Sequence, residues 1–150
     1  MLEQHGTYAL ILTCVQPGEV AVGRLGTITL EPGWYIYIGS AFGTGGLAAR
    51  LRHHLHSSAT PRWHLDYLRG YLLAREAWVS TAPIHQEHAW AQACQRLPGA
   101  AIPLVRFGAS DCTCPAHFFS FPEKPNSTHF STLLDLPGMG NGMLETLELA

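Results

Sequence analysis

The sequence predicts an α+β fold, and two observations carry this prediction. Three strand candidates come first, separated by the turn signals Pro17-Gly18 and Pro32-Gly33. Strands that are joined by short turns pair in an antiparallel sheet. From Leu47 onward the apolar residues recur every four positions, which is the spacing of an amphipathic helix. A chain of 150 residues is the size of one domain with its own core.

The first two strand candidates come before the second turn signal. Residues 6–14 are rich in β-branched and aromatic side chains, which strands favour. Because side chains alternate between the two faces of a strand, Tyr8, Leu10 and Leu12 share one face. Residues 20–30 form the second candidate, which has a glycine break in its middle.

The third strand candidate leads into a glycine-rich loop and then a helix. Tyr35 and Tyr37 lie two residues apart and share one face of this strand, while the apolar residues beside them point to the other. Gly39 ends the strand, and a run of further glycines follows it before the helix. Glycine lets the backbone approach a ligand closely, so the loop is a candidate binding segment.

Polar side chains converge around this loop. On the helix, Arg50 and His54 are four residues apart and lie on one face, with His53 beside them. Two phenols on a strand, a glycine loop, and an arginine and a histidine on one helix indicate a site for a phosphate. The alternative is that the tyrosines are ordinary core aromatics and the basic residues form a solvated helix face.

The rest of the chain predicts shorter elements. They are a short helix at 63–68, a strand at 77–79, a helix at 85–97 and a strand at 117–121. Pro, Gly, Asn, Ser and Thr dominate from residue 122 onward. We therefore expect a domain at 1–121, followed at 122–150 by a loosely ordered tail with at most a weak helix at 143–149.

Composition and charge narrow the function classes. Apolar residues make up 47% of the chain and charged residues 13%, which is typical of a globular protein and not of a disordered one. No apolar run approaches the roughly 20 residues of a membrane span, and the N-terminus lacks the pattern of a signal peptide. We therefore expect a cytoplasmic protein without a membrane partner.

The net charge argues against a strongly basic DNA-binding protein. It is −2, with an isoelectric point near 6.5. The distribution is uneven, however, because five arginines and four histidines lie between residues 50 and 75, whereas several acids lie in the tail. The body of the protein is therefore close to neutral and carries one basic patch.

The motifs at residues 6–8 and 37–39 resemble those of the GIY-YIG nuclease superfamily. Gly6-Thr-Tyr8 stands where that family has Gly-Ile-Tyr, and Tyr37-Ile-Gly39 matches the second motif. Arg50 and His54 resemble the Arg and His of the family's first helix, and Glu87 resembles its metal-binding Glu. The stretches at 41–47, 63–67 and 107–117 resemble an uncharacterised branch that occurs alone or attached to endonuclease III-type DNA repair enzymes.

This resemblance implies a metal-dependent phosphodiesterase whose site lies on a small three-stranded antiparallel sheet flanked by helices, with a short extra strand. Glu87 would hold Mg²⁺ or Mn²⁺, since hard ions take carboxylate oxygen. Arg50 would grip the phosphate through its planar fork. Either Tyr8 or Tyr37 would accept a proton from water, and His54 would orient the phenol or pass the proton on. The implied partners are DNA and a repair protein.

Several neighbours are expected to contact the substrate. Those in the motif and the glycine loop are Gly39, Ser40, Gly45 and Gly46. Arg62 and His64 lie next to each other in the basic patch and are further candidates.

The segment Cys112-Thr-Cys114-Pro-Ala-His117 raises a separate question, that of zinc. Two Cys and one His can supply three ligands, and Cys94 or His64 could be a fourth. The spacing is not one of the common paired motifs. We favour instead a tight loop in which the thiols and Asp111 bond to the backbone.

Two function classes follow from the sequence. The first is a metal-dependent endonuclease that acts on DNA, in repair. The second is a nucleic-acid-binding or partner-binding module that keeps the fold without the chemistry. The low net charge favours the second class, because phosphate contacts dominate affinity for nucleic acid. The presence together of Tyr8, Tyr37, Arg50, His54 and Glu87 favours the first.

Overall fold

A computed structural model describes residues 4–56, 61, 63–109, 113–134 and 144–149, and it confirms the predicted α+β fold. The strands are β1 (Gly6–Cys14), β2 (Gly18–Val22), β3 (Gly26–Leu30), β4 (Trp34–Ala41), β5 (Leu72–Ser80), β6 (Phe118–Phe121) and β7 (Leu144–Glu148). The helices are α1 (Gly46–Leu55), α2 (Glu87–Gln95) and α3 (Ser127–Leu133), and a 3-10 helix spans His64–Leu68.

The main sheet has five antiparallel strands in the order β6-β4-β1-β5-β7, and β2 and β3 form a separate two-stranded sheet. The expectation of three strands was therefore wrong in number. Residues 20–30 do not join the main sheet because β2 and β3 pair with each other as a hairpin, with Val22 opposite Gly26. Val22, Ile28 and Leu30 are buried by packing onto the face of the main sheet.

The last strand, β7, corrects the sequence prediction for the chain's end. The weak helix expected at 143–149 is a strand that pairs with β5, with Leu147 opposite Ala77. Leu147 in β7 and Leu149 just after it lie two residues apart, and both pack against the core of the sheet. This burial of alternate residues, which is typical of a strand, outweighs the local helical propensity. Strand β5 is also longer than the predicted residues 77–79, because it pairs with β1 from Leu72 to Ser80.

Residues 122–134 are also ordered by packing, where a loosely ordered tail was expected. Asn126 caps α3, because its side-chain oxygen accepts a hydrogen bond from the backbone N–H of His129 at 2.9 Å. Phe130 is fully buried between the rings of Trp78 and Trp90. This aromatic contact attaches α3 to the main sheet.

The sheet has a core on each face because strand side chains alternate. Helix α1, the 3-10 helix and the β2–β3 hairpin cover the face that carries Tyr8 and Tyr37. Helices α2 and α3 cover the opposite face, which carries Ile36 and Ile38. Among the described residues, no helix has both the length and the apolar character needed to cross a bilayer.

Candidate active site

The two motif tyrosines meet because their strands are neighbours. In the antiparallel pair of β1 and β4, Tyr8 lies opposite Gly39 and Leu10 lies opposite Tyr37. The ring centroids of Tyr8 and Tyr37 are 6.4 Å apart on the same face. Helix α1 lies over this face with its apolar residues Leu47 and Leu51 buried, and its polar side chains therefore reach the two phenols.

Gly39 makes room for the ring of Tyr8. A Cβ at position 39 would lie 2.4 Å from the Tyr8 hydroxyl oxygen and 2.5 Å from Cζ, which is closer than real Cβ contacts come. The Tyr8 ring thus crosses β4 at the one position without a side chain. Gly39 was predicted to contact the substrate, and in the structure it packs against the Tyr8 ring.

A hydrogen bond joins Tyr8 to His54 in α1. The Tyr8 hydroxyl lies 2.7 Å from His54 Nε2, and the Tyr37 ring stands edge-on to the same imidazole at 5.5 Å. Burial lowers the pKa of His54 to about 3, so the imidazole is neutral at pH 7. Burial also raises the pKa of Tyr8 above its ordinary value, although the nearby Arg50 charge opposes this shift. Because the Asp66 carboxylate lies on the Nδ1 side of the neutral ring, the arrangement favours a hydrogen on Nδ1, with the phenol donating to Nε2.

Asp66, in the 3-10 helix, stands behind His54. Its Oδ1 is 3.9 Å from His54 Nδ1, a separation longer than a hydrogen bond but close enough for electrostatic attraction. Its Oδ2 is 2.9 Å from His53 Nε2 and accepts the backbone N–H of Trp63 at 3.0 Å. The side chain of Asp66 is only 2% exposed, and its negative charge favours protonation of His54. The site thus contains a Tyr–His–Asp series.

Arg50 is positioned by two contacts. Its guanidinium carbon lies 4.1 Å from the centroid of the Trp63 ring, and its Nη1 donates a 2.7 Å hydrogen bond to the carbonyl oxygen of Ser40. Stacking on an aromatic ring is a favourable arrangement for a guanidinium. Since this group carries five N–H donors, it retains others for an anion.

Glu87, the first residue of α2, reaches the same end of β4 from the opposite face. The Ser40 hydroxyl donates a short hydrogen bond to Glu87 Oε1. Ser40 therefore contacts Arg50 through its carbonyl and Glu87 through its side chain. The Glu87 carboxylate is 26% exposed, and its Oε2 lies 3.6 Å from Nδ1 of His117. Burial lowers the pKa of His117, although the Glu87 charge opposes this shift.

The donor set at Glu87 fits a hard divalent cation. Mg²⁺ commonly takes one or two protein carboxylates and keeps several of its waters. Glu87 is a partly exposed carboxylate, and only its Oε1 accepts a hydrogen bond from the described residues. The described residues contain no cluster of three or more acidic, His or Cys side chains suited to hold a metal. A cation here would therefore be held by few protein ligands.

Gly45, Gly46, His64 and Arg62 are the other predicted substrate contacts. Gly45 and Gly46 form the turn into α1, with φ angles of 86° and 60° that favour glycine. His64 Nδ1 accepts a 2.8 Å hydrogen bond from the Gly108 backbone N–H. Burial lowers the pKa of His64. Arg62 is outside the described residues.

The candidate zinc segment is only partly described. Cys112 lies outside the described residues, as does Asp111. Cys114 is buried, with its Sγ 3.3 Å from Nδ1 of His88 in α2. The His117 imidazole instead lies beside Glu87.

Three residues at this site were not assigned a role there by sequence reasoning. Trp63 and Asp66 were predicted only as part of a short helix, and His117 was considered only for zinc. The one available signal was that Trp63 and Asp66 lie in the basic patch that follows α1. Their contacts with His54 and Arg50 depend on how the 3-10 helix packs against α1.

A family model described as "Domain of unknown function DUF123" matches residues 7–135 of the chain. The matched range includes every residue of the Tyr–His–Asp series, together with Arg50, Glu87 and His117. Neither a curated protein nor a solved structure matches the chain.

Proposed function

Because the chain belongs to the DUF123 family, whose description names no activity, we propose a function from its site: a metal-dependent endonuclease that hydrolyses phosphodiester bonds in DNA. One observation carries the proposal. A hydrogen-bonded phenol–imidazole pair and an arginine linked through Ser40 to a carboxylate occur at the same end of β4. Proton transfer, phosphate binding and cation binding are the three functions that a metal-dependent phosphodiester hydrolysis uses.

In this proposal, Tyr8 relays a proton from the attacking water to His54. The phenol is protonated at rest because burial raises its pKa, so it gives its proton to Nε2 as it takes one from water. The Asp66 carboxylate stabilises the imidazolium that forms. The positive charge of Arg50 lowers the pKa of His54 and so disfavours its protonation. A bound phosphate would neutralise this charge and remove that effect. Substrate binding thus favours the transfer.

Arg50 would bind the phosphate. The ring of Trp63 stacks on the guanidinium and fixes its plane, and Nη1 donates a hydrogen bond to the carbonyl oxygen of Ser40. The other N–H groups would donate to phosphate oxygens in the two-bond geometry that lysine cannot reproduce. The positive charge at this position would also stabilise the negative charge that develops in the transition state.

Glu87 would hold the cation, Mg²⁺ or Mn²⁺. When bound, the cation would stabilise charge on the phosphate and acidify a bound water. The Ser40 hydroxyl orients the carboxylate by binding Oε1 and leaves Oε2 for the ion. The assignment of DNA as the substrate depends on the resemblance of the Tyr8 and Tyr37 motifs to the GIY-YIG nucleases.

A second candidate function is a nucleic-acid-binding module without catalysis, and one observation favours it. Tyr8 is 0% and Tyr37 4% exposed, and the His54 side chain is 1% exposed. A substrate could reach these groups only if the surrounding side chains moved. Arg50 and Glu87 are more accessible and could bind a phosphate or a cation without that change.

The discriminating experiment is cleavage of labelled single-stranded, duplex and branched DNA with Mg²⁺ or Mn²⁺. We expect the wild type and the exposed control Glu123→Gln to cleave at least one substrate, and Glu87→Gln to cleave none. Circular dichroism and a binding assay accompany each variant. If the folded wild type binds DNA but cleaves none of the panel, the endonuclease proposal fails and the binding module replaces it.

A further inference from the structure

His117 is a buried histidine whose ring has no hydrogen-bond partner among the described residues. The side chain is 2% exposed, and within this part of the chain neither Nδ1 nor Nε2 makes a hydrogen bond. The Gly108 backbone lies near the ring and influences its charge, but the contact lacks hydrogen-bond geometry. A buried polar group without a partner destabilises a fold, because it has lost its hydrogen bonds to water. Such a group therefore calls for an explanation.

The backbone holds this ring in place. The backbone N–H of His117 donates to Phe107 and its carbonyl accepts from Ile38, each at 2.8 Å. Both backbone polar groups are therefore bonded to well-packed neighbours. These bonds fix the backbone of His117, and from this position its imidazole lies beside Glu87 of α2.

The His117 ring lies beside Oε2 of Glu87, the carboxylate oxygen that does not accept the Ser40 hydrogen bond. His117 Nδ1 lies 3.6 Å from Oε2, whereas Oε1 is the oxygen bound by Ser40. A direct hydrogen bond would be shorter. Two ligand atoms that share one ion through bonds of about 2.1 Å lie about 3.0 Å apart at a right angle and about 3.4 Å apart at a tetrahedral angle. The observed distance of 3.6 Å is about 0.2 Å longer than the tetrahedral value and about 0.6 Å longer than the right-angle value.

We propose that Nδ1 of His117 is the second protein ligand of the divalent cation at Glu87, and that this site therefore prefers a transition-metal ion such as Mn²⁺ to Mg²⁺. The inference rests on the proposed cation site at Glu87. Imidazole nitrogen is a poor ligand for Mg²⁺, which selects oxygen, and a better one for first-row transition ions, of which Mn²⁺ binds it least strongly. The pair of one nitrogen and one carboxylate oxygen makes the site selective without a third protein ligand.

The test measures metal binding directly and does not require activity. Titration calorimetry with Mn²⁺ and with Mg²⁺ compares the wild type with His117→Gln, Glu87→Gln and His129→Gln. His129 is an exposed histidine in α3, so the last variant is a control for the same chemical change. We expect His117→Gln to lower the Mn²⁺ affinity at least about tenfold and the Mg²⁺ affinity much less. Glu87→Gln should weaken both, and His129→Gln neither.

Pulsed EPR of the Mn²⁺-loaded wild type gives a second readout that does not depend on a variant folding. The expected result is a ¹⁴N modulation from a directly bound imidazole, which disappears in His117→Gln and persists in His129→Gln. Bound Mn²⁺ without this signal would overturn the inference and leave the proposed nuclease intact. A wild type that binds neither ion would overturn both proposals. Loss of cleavage in Glu87→Gln with unchanged Mn²⁺ affinity in His117→Gln would overturn this inference alone.

Discussion

The hydroxyl of Tyr8 lies 2.7 Å from Nε2 of His54, although the two residues are 46 positions apart in the chain. This bond connects the first strand to the first helix on the buried face of the sheet. Both partners are almost completely inaccessible to solvent, so each satisfies the polar group of the other.

Removing the phenol oxygen with Tyr8→Phe should lower both stability and activity. Because His54 Nε2 would remain buried without a donor, we expect the free energy of unfolding to fall by about 1–3 kcal/mol, as measured by urea denaturation. The relay would be lost as well, and DNA cleavage should fall about 10²- to 10⁴-fold. Tyr35→Phe is the matched control, because the Tyr35 hydroxyl bonds only to the backbone of Glu31. Equal cleavage by the Tyr8 variant and the wild type would contradict the relay.

Gly39→Ala should destabilise the protein by steric conflict with the Tyr8 ring. The added Cβ would lie within 3.0 Å of three atoms of that side chain, and overpacking of this kind costs about 1–3 kcal/mol. Gly43→Ala is the control, since a Cβ there meets nothing within 4 Å. The measurement is thermal unfolding. If the clash is the cause, the effect of Gly39→Ala should shrink in a Tyr8→Ala background, and strict additivity of the two changes would argue against it.

Stability should fall as the pH drops from about 6.5 towards 3. In the unfolded chain His54 has its ordinary pKa of 6.5, whereas burial lowers the folded value to about 3. Between these values the unfolded state binds the extra proton, so each pH unit removes on the order of 1.4 kcal/mol of stability, and the loss ends below pH 3.

The check is denaturant unfolding at pH 7.5, 6 and 5 for the wild type, His54→Gln and His129→Gln. We expect the His54 variant to show a smaller pH dependence over this range than the wild type, since its side chain cannot be protonated. The exposed His129 control should follow the wild type. A His54 variant with an unchanged pH dependence would show that this imidazole is not the responsible group.

Arg50→Lys should reduce cleavage although it conserves the charge. Lysine can neither stack its plane on Trp63 nor donate in a planar fork, so we expect a loss of about ten- to a hundredfold in kcat. Arg24→Lys, at an exposed position between β2 and β3, is the control and should cleave normally. Full activity of the Arg50 variant would mean that only the charge matters there.

Local patterns were sufficient to place several of these side chains. The period of two in β1 and β4 places Tyr8 and Tyr37 on buried faces, and the spacing of four in α1 puts Arg50 and His54 on one side. These predictions succeed because strand and helix geometry repeats over a few residues and depends little on distant parts of the chain.

Distant contacts could not be predicted in this way. The pairing of β7 with β5 overrides a local helical tendency, because an edge strand gains backbone hydrogen bonds and buries Leu147. The contact of Asp66 with His54 arises from the packing of the 3-10 helix on α1, and that of His117 with Glu87 from the meeting of two segments thirty positions apart. Residue spacing specifies which side of its own element a side chain occupies, whereas its partners across elements depend on the packing of the whole core.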